Sequence, residues 1–140
     1  MTDAPRPANA SMAIAASALK AQQARMRIIA ENIANADSVA TTPGGDPYRR
    51  QEPVFAPANV GDGAKGVAMT GVRPDATPFR REYNPGNPAA DAKGYVNLPN
   101  VDPLVEALDM REAQRAYEAN LNVIETARTM QSRTLDLLKH

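Results

Sequence analysis

The first quarter of the chain carries apolar and small side chains at alternating steps of three and four residues. This spacing puts them on one face of an α-helix, in the manner of a coiled-coil seam. Asn9 or Ser11 can cap the start of this helix. The pattern predicts a helix over residues 11–37, preceded by a flexible N-terminus at 1–10. The predicted seam consists of Met12, Ala15, Leu19, Gln22, Met26, Ile29, Ile33 and Ala36.

The last quarter repeats this pattern, with Asp102 as a capping residue and Pro103 in the first helical turn. It predicts a helix over residues 102–139. A second apolar stripe lies about 100° around the same helix, at 100° per residue. The seam consists of Ala113, Ala116, Asn120, Val123, Ala127, Met130, Thr134 and Leu137. The second stripe consists of Tyr117, Leu121, Ile124, Leu135 and Leu138.

Each predicted helix is apolar over more than one face. On the first helix three of the charged residues, Lys20, Arg27 and Glu31, keep to one narrow strip. A helix in a two-helix hairpin needs a single apolar face, and soluble monomers seldom expose large apolar patches. These helices therefore need several helical neighbours, whereas the chain itself supplies only two helices.

The region between the helices, residues 38–101, holds most of the 12 prolines and 8 glycines of the chain. Four stretches in it have the composition of strands: "YRRQEPVFA", "GVAMTGV", "FRREYN" and "GYVNL". Because proline cannot donate to a strand ladder, they are predicted to form short hairpins or edge strands. Arg49 and Arg50, beside Tyr48, are interpreted as a solvated turn. The predicted fold is mainly α with a small irregular β and loop insert, its long terminal helices paired as an antiparallel coiled coil.

Composition and charge argue against several classes of function. The 16 basic and 16 acidic residues cancel, so there is no electrostatic reason to expect binding to nucleic acid or to an anionic membrane surface. No apolar run approaches the roughly 20 residues of a membrane-spanning helix, and no direct membrane insertion is expected. The first residues lack the continuous apolar core of a secretory signal peptide, so any export is expected to proceed without signal cleavage.

Residues that could carry chemistry are scarce. The chain has no cysteine, and its one histidine is His140 at the last position, so no nucleophile paired with a base can be identified. Asp62 stands alone, and Asp91 lacks the regularly spaced oxygen ligands of a calcium loop. The glycine-rich stretches do not match the spacing of a phosphate-binding loop. The sequence therefore predicts no enzyme activity, no cofactor and no metal site.

Two motifs carry a family resemblance. The helix segments "ENIANADS" and "YEANLNVIETARTMQSRTLDLL" resemble the terminal helices of the axial proteins of the bacterial flagellum, which form its rod, hook and hook-filament junction. The run "PDATPFRREYNPGNPAADAKGYVNLPNVDPLVEALDMREAQRAYEAN" is similar to the short proximal rod proteins of this family. It departs from their pattern at Thr77, Asn84, Asn87 and Ala89, where the family has Ser, Asp, His and Asp.

The resemblance implies a structural subunit of the flagellar basal-body rod, with no enzyme activity. Such a subunit polymerises helically with itself and with other rod proteins, forming a drive shaft that transmits torque and continues the export channel. It also implies the flagellar type III export apparatus as a partner, and a location in the rod where it crosses the periplasm. The alternative, from the helices alone, is a soluble helical-hairpin adaptor or export chaperone that binds a partner helix.

Four asparagines lie within the predicted helices: Asn32, Asn35, Asn120 and Asn122. At 100° per residue, Asn32 and Asn35 point about 100° and 160° away from the centre of the first seam, which places them toward other subunits of a rod. Asn35 can instead be a helix C-cap. Asn120 lies on the second seam, where a buried amide can fix register. The residues expected at the assembly interface are Leu19, Met26, Ile29, Asn32, Ile33, Asn35, Tyr117, Asn120, Val123, Ile124, Met130 and Leu137.

Overall fold

Two long helices flank four strands in the chain order α1, β1, β2, β3, β4, α2. The computed structural model describes residues 7–61 and 63–139. It confirms the predicted combination of terminal helices with a small β insert. The helices are α1, Pro7–Ala34, and α2, Pro103–Leu138. The strands are β1, Gln51–Asn59; β2, Lys65–Pro74; β3, Arg80–Tyr83; and β4, Tyr95–Leu98.

Helix α1 both begins and ends earlier than the predicted range of 11–37. Residues 7–10, expected to be flexible, form its first turn, while residues 1–6 lie outside the described part of the chain. At its end the Asn35 side chain donates to the Glu31 carbonyl at 2.8 Å, and the Asn35 N–H reaches the same oxygen at 3.1 Å. The Ala36 N–H then bonds the Ile33 carbonyl, only three residues back, at 3.2 Å. This tighter turn ends the regular helix.

Helix α2 has the cap that the sequence predicts. The Leu104 N–H donates to Asp102 Oδ1 at 3.0 Å, and the Glu106 N–H donates to the Asp102 carbonyl at 3.0 Å. Pro103 is the first helical residue, where its missing N–H leaves no hydrogen bond unmade. Asp102 therefore satisfies one of the free N–H groups that every helix start presents.

The four strands form two separate two-stranded sheets, and each strand overlaps one of the four predicted stretches. Strands β1 and β2 pair in one sheet, with Pro53 and Pro57 in β1. A strand of a two-stranded sheet has one free edge, which is where proline is tolerated. Strands β3 and β4 pair antiparallel, in a register that runs from Arg80 opposite Leu98 to Tyr83 opposite Tyr95.

The chain divides into two compact units, each of which takes segments from both helices and from the insert. We call them the terminal unit and the central unit. The terminal unit is Met1–Met26, Val54–Gly71 and Arg111–His140. The central unit is Arg27–Pro53 and Val72–Met110.

Within the terminal unit, α1 and α2 run in opposite directions. Gln131 Nε2 of α2 donates to Asn9 Oδ1 near the start of α1, at 2.7 Å. Arg25 of α1 lies 3.6 Å from the carboxylate of Glu112, at the other end of this part of α2. The buried apolar side chains among the described residues of this unit are all alanines: Ala15, Ala21, Ala113 and Ala127.

The central unit has a different interior. Its buried apolar side chains include larger aliphatic residues from α1, β4 and the segment before α2. Two polar side chains, Asn32 and Glu106, are buried with them. Buried polar groups cost free energy unless they are hydrogen-bonded, so the partners of these two residues decide how the unit is built. The buried apolar residues are Ile28, Ile29, Ala36, Ala89, Val96 and Val101.

Candidate functional site

Asn32 ties the end of α1 to the start of β1. Its Oδ1 accepts the Gln51 N–H at 3.0 Å and the Tyr48 hydroxyl at 2.7 Å, and its Nδ2 donates to the Gln51 carbonyl at 2.9 Å. The side chain is 1% exposed. The amide thus pairs with both backbone groups of Gln51, as a neighbouring strand would.

The sequence placed Asn32 at a contact between subunits, whereas the structure places it inside the central unit. Both acceptor positions of its oxygen are occupied by groups of its own chain. Burial, followed by the charges of Glu31 and Glu106, raises the pKa of Tyr48, so its hydroxyl remains a donor to Asn32. We therefore do not include Asn32 in the contact surface proposed below.

Arg50 is the centre of a cluster of four carboxylates. Its Nε bonds Glu106 Oε1, and its Nη1 lies 3.1 Å from Glu52 and 3.3 Å from Asp75. Its Nη2 is 3.8 Å from Asp109. The guanidinium thus joins β1, the segment after β2 and the first two turns of α2. The interpretation of Arg50 as part of a solvated turn is wrong.

Arg50 and Asp75 each favour the ionised state of the other. Burial alone lowers the pKa of Arg50, but hydrogen bonds and charges from Glu106 and Asp75 outweigh it and raise that pKa. The Thr77 N–H, at 2.9 Å, lowers the pKa of Asp75, with a further contribution from Arg50. Oε2 of the buried Glu106 has no hydrogen-bond partner. A buried carboxylate of this kind depends on its counter-charge, because removal of one partner leaves the other charge uncompensated.

Two further arginines serve backbone carbonyls of the central unit. Arg49 Nη1 donates to the carbonyls of Asp75 and Thr77 at 2.7 and 3.0 Å, and its guanidinium lies 4.1 Å from the centre of the Phe79 ring. Arg80 donates to the carbonyls of Ala36 and Pro99 at 3.1 Å each. Backbone groups outside helices and sheets must find partners of this kind. These arginine side chains therefore hold separate segments of the central unit together through hydrogen bonds to their backbone carbonyls.

Asp91 organises the loop between β3 and β4. Its Oδ1 accepts the N–H groups of Lys93 at 2.9 Å and Tyr95 at 3.0 Å, and its Oδ2 accepts from Arg81 at 3.1 Å. These bonds, that of Tyr95 first, lower the pKa of Asp91. The Tyr83 ring packs edge-on against Tyr95, with 5.3 Å between ring centres. Asp91, which was not predicted to bind calcium, thus accepts hydrogen bonds that hold this loop in place.

Large apolar side chains remain on the outside of the terminal unit. Val123, Met130 and Leu137 follow one another at seven-residue spacing on α2, and Met130 and Leu137 are 62% and 77% exposed. At 100° per residue they lie within about 40° of one another, which makes one continuous stripe. The face that carries the buried Ala113 and Ala127 lies about 80° away by the same count. The stripe is therefore outside the contact that α2 makes within its own chain.

The residues expected at the assembly interface take three kinds of position. Asn120 Nδ2 donates to the Ala116 carbonyl, one turn back in the same helix, at 2.8 Å, and its role in register stays a prediction. Buried residues of the set are Ile29 and Asn32. Half-buried residues are Leu19, Met26, Asn35, Tyr117, Asn120 and Ile124. Exposed residues are Ile33, Val123, Met130 and Leu137.

A groove of about 680 Å³ lies in the terminal unit between α1 and the β1–β2 hairpin. Alanines of α1, among them Ala13, Ala21 and Ala24, line one wall, and Val67 and Met69 of β2 line the other. Over residues 7–61 and 63–139, no group of acidic or histidine side chains suited to a metal ion is present. No helix in that part of the chain is long and apolar enough to cross a bilayer.

Comparison with known proteins relates this architecture to a family. A model described as "Flagella basal body rod protein" matches residues 12–40, and one described as "Flagellar basal body rod FlgEFG protein C-terminal" matches residues 92–137. A flagellar basal-body rod protein FlgC of Agrobacterium fabrum is 48% identical over 134 residues, which cover 95% of this chain and 96% of the relative. Its namesake in Escherichia coli O6:H1 is 47% identical over 126 residues, covering 89% and 92%. The protein of that name in Aquifex aeolicus is 38% identical over 127 residues, covering 90% and 93%.

Proposed function

Because this chain belongs to the FlgC family of flagellar basal-body rod proteins, we propose that it polymerises helically with other rod subunits through the exposed faces of its terminal helices. Like its relatives, it is a structural subunit of the rod, and it is not an enzyme. The observation that carries the proposal is the stripe of Val123, Met130 and Leu137, which its own chain leaves uncovered. Soluble monomers seldom leave such a stripe exposed, whereas an assembly buries it.

The helices pair as an antiparallel coiled coil in the assembled state. The contacts of Asn9 with Gln131 and of Arg25 with Glu112 support this pairing. The small buried alanines between the helices allow close approach but bury little apolar area. Neighbouring subunits add the larger side chains, so that each helix is packed on several faces.

The terminal helices become ordered when the subunit joins the rod. Ordering a helix costs about 1–2 kcal/mol of backbone entropy per residue, and alanine contacts alone offset little of it. Before assembly we expect the terminal unit to be largely unfolded, with low helicity. Such a chain can pass unfolded through the flagellar type III export apparatus, and its partners are then this apparatus, copies of itself and other rod proteins.

In the assembled rod the subunit forms part of a drive shaft that crosses the periplasm and continues the export channel. Torque passes from subunit to subunit through the packed helix faces, because each face binds a neighbour at a different angle around the helix. The alternative of a soluble helical-hairpin adaptor or export chaperone is set aside, since the relatives named above are rod proteins.

Substitution in the stripe tests the proposal. Met130→Gln, in a strain that lacks the natural copy, is expected to abolish swimming and to leave the subunit out of isolated basal bodies. Thr129→Gln, at the neighbouring exposed position of the same helix, is the matched control and is expected to swim normally. Secretion of both variants into the medium is measured alongside, so that a defect in export is separated from a defect in assembly. Normal swimming of Met130→Gln would contradict the proposed contact surface.

A further inference from the structure

In the first two turns of α2 the apolar side chains are exposed and a charged side chain is buried. Leu104 and Leu108 are 69% and 57% exposed, and Val105 is exposed beside them. Glu106, in the same two turns, is 0% exposed. A surface helix normally buries its apolar stripe and exposes its charges. Something in the central unit therefore overrides the hydrophobic preference of this segment.

Helix geometry separates the two faces cleanly. At 100° per residue, Glu106 and Asp109 lie within about 60° of each other, and Leu104, Val105 and Leu108 lie within about 100°. The centres of the two faces are about 120° apart by the same count. A rotation of the helix by that amount would bury the leucines and expose both carboxylates. The structure has the opposite setting.

The contacts of Arg50 favour the observed rotation of α2 about its axis. It bonds Glu106 through Nε, and its Nη2 lies 3.8 Å from Asp109. Both carboxylates come from the buried face of α2, one turn apart. The guanidinium is a rigid planar fork, so partners on two of its nitrogens fix the direction of a helix as well as its distance.

The fork itself is held from the other side. Glu52 and Asp75 bind Nη1 at 3.1 and 3.3 Å, and the backbone N–H of Arg50 donates to Asn100 Oδ1 at 2.7 Å. Asn100 in turn donates to the carbonyls of Asp75 and Thr77 at 3.1 Å each. These contacts outside α2 restrain the guanidinium. A rotation of α2 would therefore break its contacts with Glu106 and Asp109.

We propose that Arg50 is a positioning residue, which sets the rotation of the start of α2 about its axis and so keeps Leu104, Val105 and Leu108 on the surface. Hydrophobic burial alone would select the opposite rotation. The inference concerns the unassembled chain, and it holds or fails independently of the contact surface proposed above. That independence allows the two to be tested separately.

Single cysteines report the rotation directly, because the natural chain contains none. Leu108→Cys lies on the exposed face, and Met110→Cys lies about 160° away from it, at 100° per residue. In the full-length unassembled chain, a water-soluble maleimide is expected to label the cysteine at 108 at least about tenfold faster than that at 110, since reaction requires access. A ratio near one with Arg50 present would overturn the inference.

The same two cysteines are then placed in chains with altered position 50. Arg50→Met with Glu106→Gln removes the guanidinium and the buried charge together, so that position 106 carries no unpaired charge and gains no apolar side chain. Arg50→Lys keeps the charge but loses the fork. In each folded variant, checked by the β-sheet signal in circular dichroism, the labelling ratio is expected to fall at least about threefold. Arg25→Met, which removes an arginine from its pair with the exposed Glu112, is the matched control and should keep the natural ratio.

A structural role alone predicts a different result. If Arg50 contributed only stability, the folded double variant would keep the natural labelling ratio, because the rotation of α2 would not depend on the guanidinium fork. A natural ratio in either folded variant therefore overturns the inference. A reduced ratio in both, with no change in the Arg25→Met control, supports it.

Discussion

The terminal and central units solve the problem of a small core in different ways. Among the described residues, the terminal unit buries alanines and leaves side chains such as Met130 and Leu137 exposed. The central unit buries larger aliphatic residues and adds the polar partners of Asn32 and Arg50. The central unit pairs its buried Asn32 and Oε1 of its buried Glu106 with groups of its own chain. The terminal unit leaves several of its large apolar side chains exposed, where we propose that other chains bind.

This difference suits the proposed function, in which the subunit is exported first and assembled afterwards. Hydrogen-bonded and ionic contacts specify one arrangement for the central unit. Alanine contacts cost little to separate, which agrees with the proposal that the terminal helices are extended during export and form again in the rod. The predictions that follow test whether the two units differ in this way, from the largest expected effect on stability to the smallest.

Loss of Arg50 should have the largest effect. Arg50→Ala leaves four carboxylates without their shared counter-charge, one of them the buried Glu106, and is expected to destabilise the central unit by about 3–5 kcal/mol. Arg25→Ala removes an ion pair of the terminal unit whose glutamate is exposed, and should cost less than about 1 kcal/mol. Urea denaturation of both variants checks the contrast. Equal effects would remove the distinction between the units.

Asn32→Ala should come next. It leaves the N–H and carbonyl of Gln51 and the hydroxyl of Tyr48 without a partner, so we expect a loss of about 2–3 kcal/mol. Asn35→Ala is the control from the same motif, since it removes a single bond to the Glu31 carbonyl. Its expected cost is about 0.5–1 kcal/mol. A larger effect for Asn35 than for Asn32 in urea denaturation would contradict the assigned role.

Two glycines, one from each unit, give a smaller contrast. Gly94 has a φ of 85°, and a Cβ there would lie 2.8 Å from the Tyr83 ring. Gly94→Ala is therefore expected to cost about 1–2 kcal/mol. At Gly71 in the terminal unit a Cβ would meet nothing within 4 Å. Gly71→Ala should change the thermal midpoint by less than about 2 °C, and a larger shift than that of Gly94→Ala would contradict the difference in packing.

Acid should weaken the central unit gradually. The pKa values of Asp75 and Asp91 are lowered in the folded state, so both bind protons more readily when unfolded. Their contribution to stability is complete above the unfolded pKa, about 4, and is lost as the pH falls through the lower folded values. The urea concentration at the unfolding midpoint, measured between pH 6 and pH 3, should decrease once the pH is below about 4. In Asp75→Asn this decrease with pH should be less steep. A midpoint independent of pH in this range would contradict both assignments.

The helices and strands could be predicted because their signals are local. Periodic apolar positions marked both helices, Asp102 and Pro103 marked the start of α2, and each strand-like stretch forms a strand. The end of α1 was placed too late, because the sequence did not show that Asn35 would bond the Glu31 carbonyl and close the turn. Element ends depend on single hydrogen bonds of this kind.

The polar interior of the central unit could not be predicted in the same way. Arg50 and Glu106 are 56 positions apart in the chain, and nothing at either position signals the other. Asn32 was correctly singled out as unusual, yet its angle around the helix showed only that it left the seam. Whether it faced a neighbour or its own chain depended on where Gln51 came to lie.

The sequence by itself determined the two helices, the β insert, the family, and the excess of apolar helix surface that requires other subunits. These follow from periodicity, capping and motif, which are properties of neighbouring residues. Only the tertiary structure decided which polar side chains are buried and which apolar ones stay outside. The physical reason is that a buried charge or amide needs a partner at hydrogen-bond distance, and here that partner comes from a distant part of the chain. At the start of α2 this requirement outweighs the hydrophobic pattern, so that Glu106 lies inside and Leu104 outside.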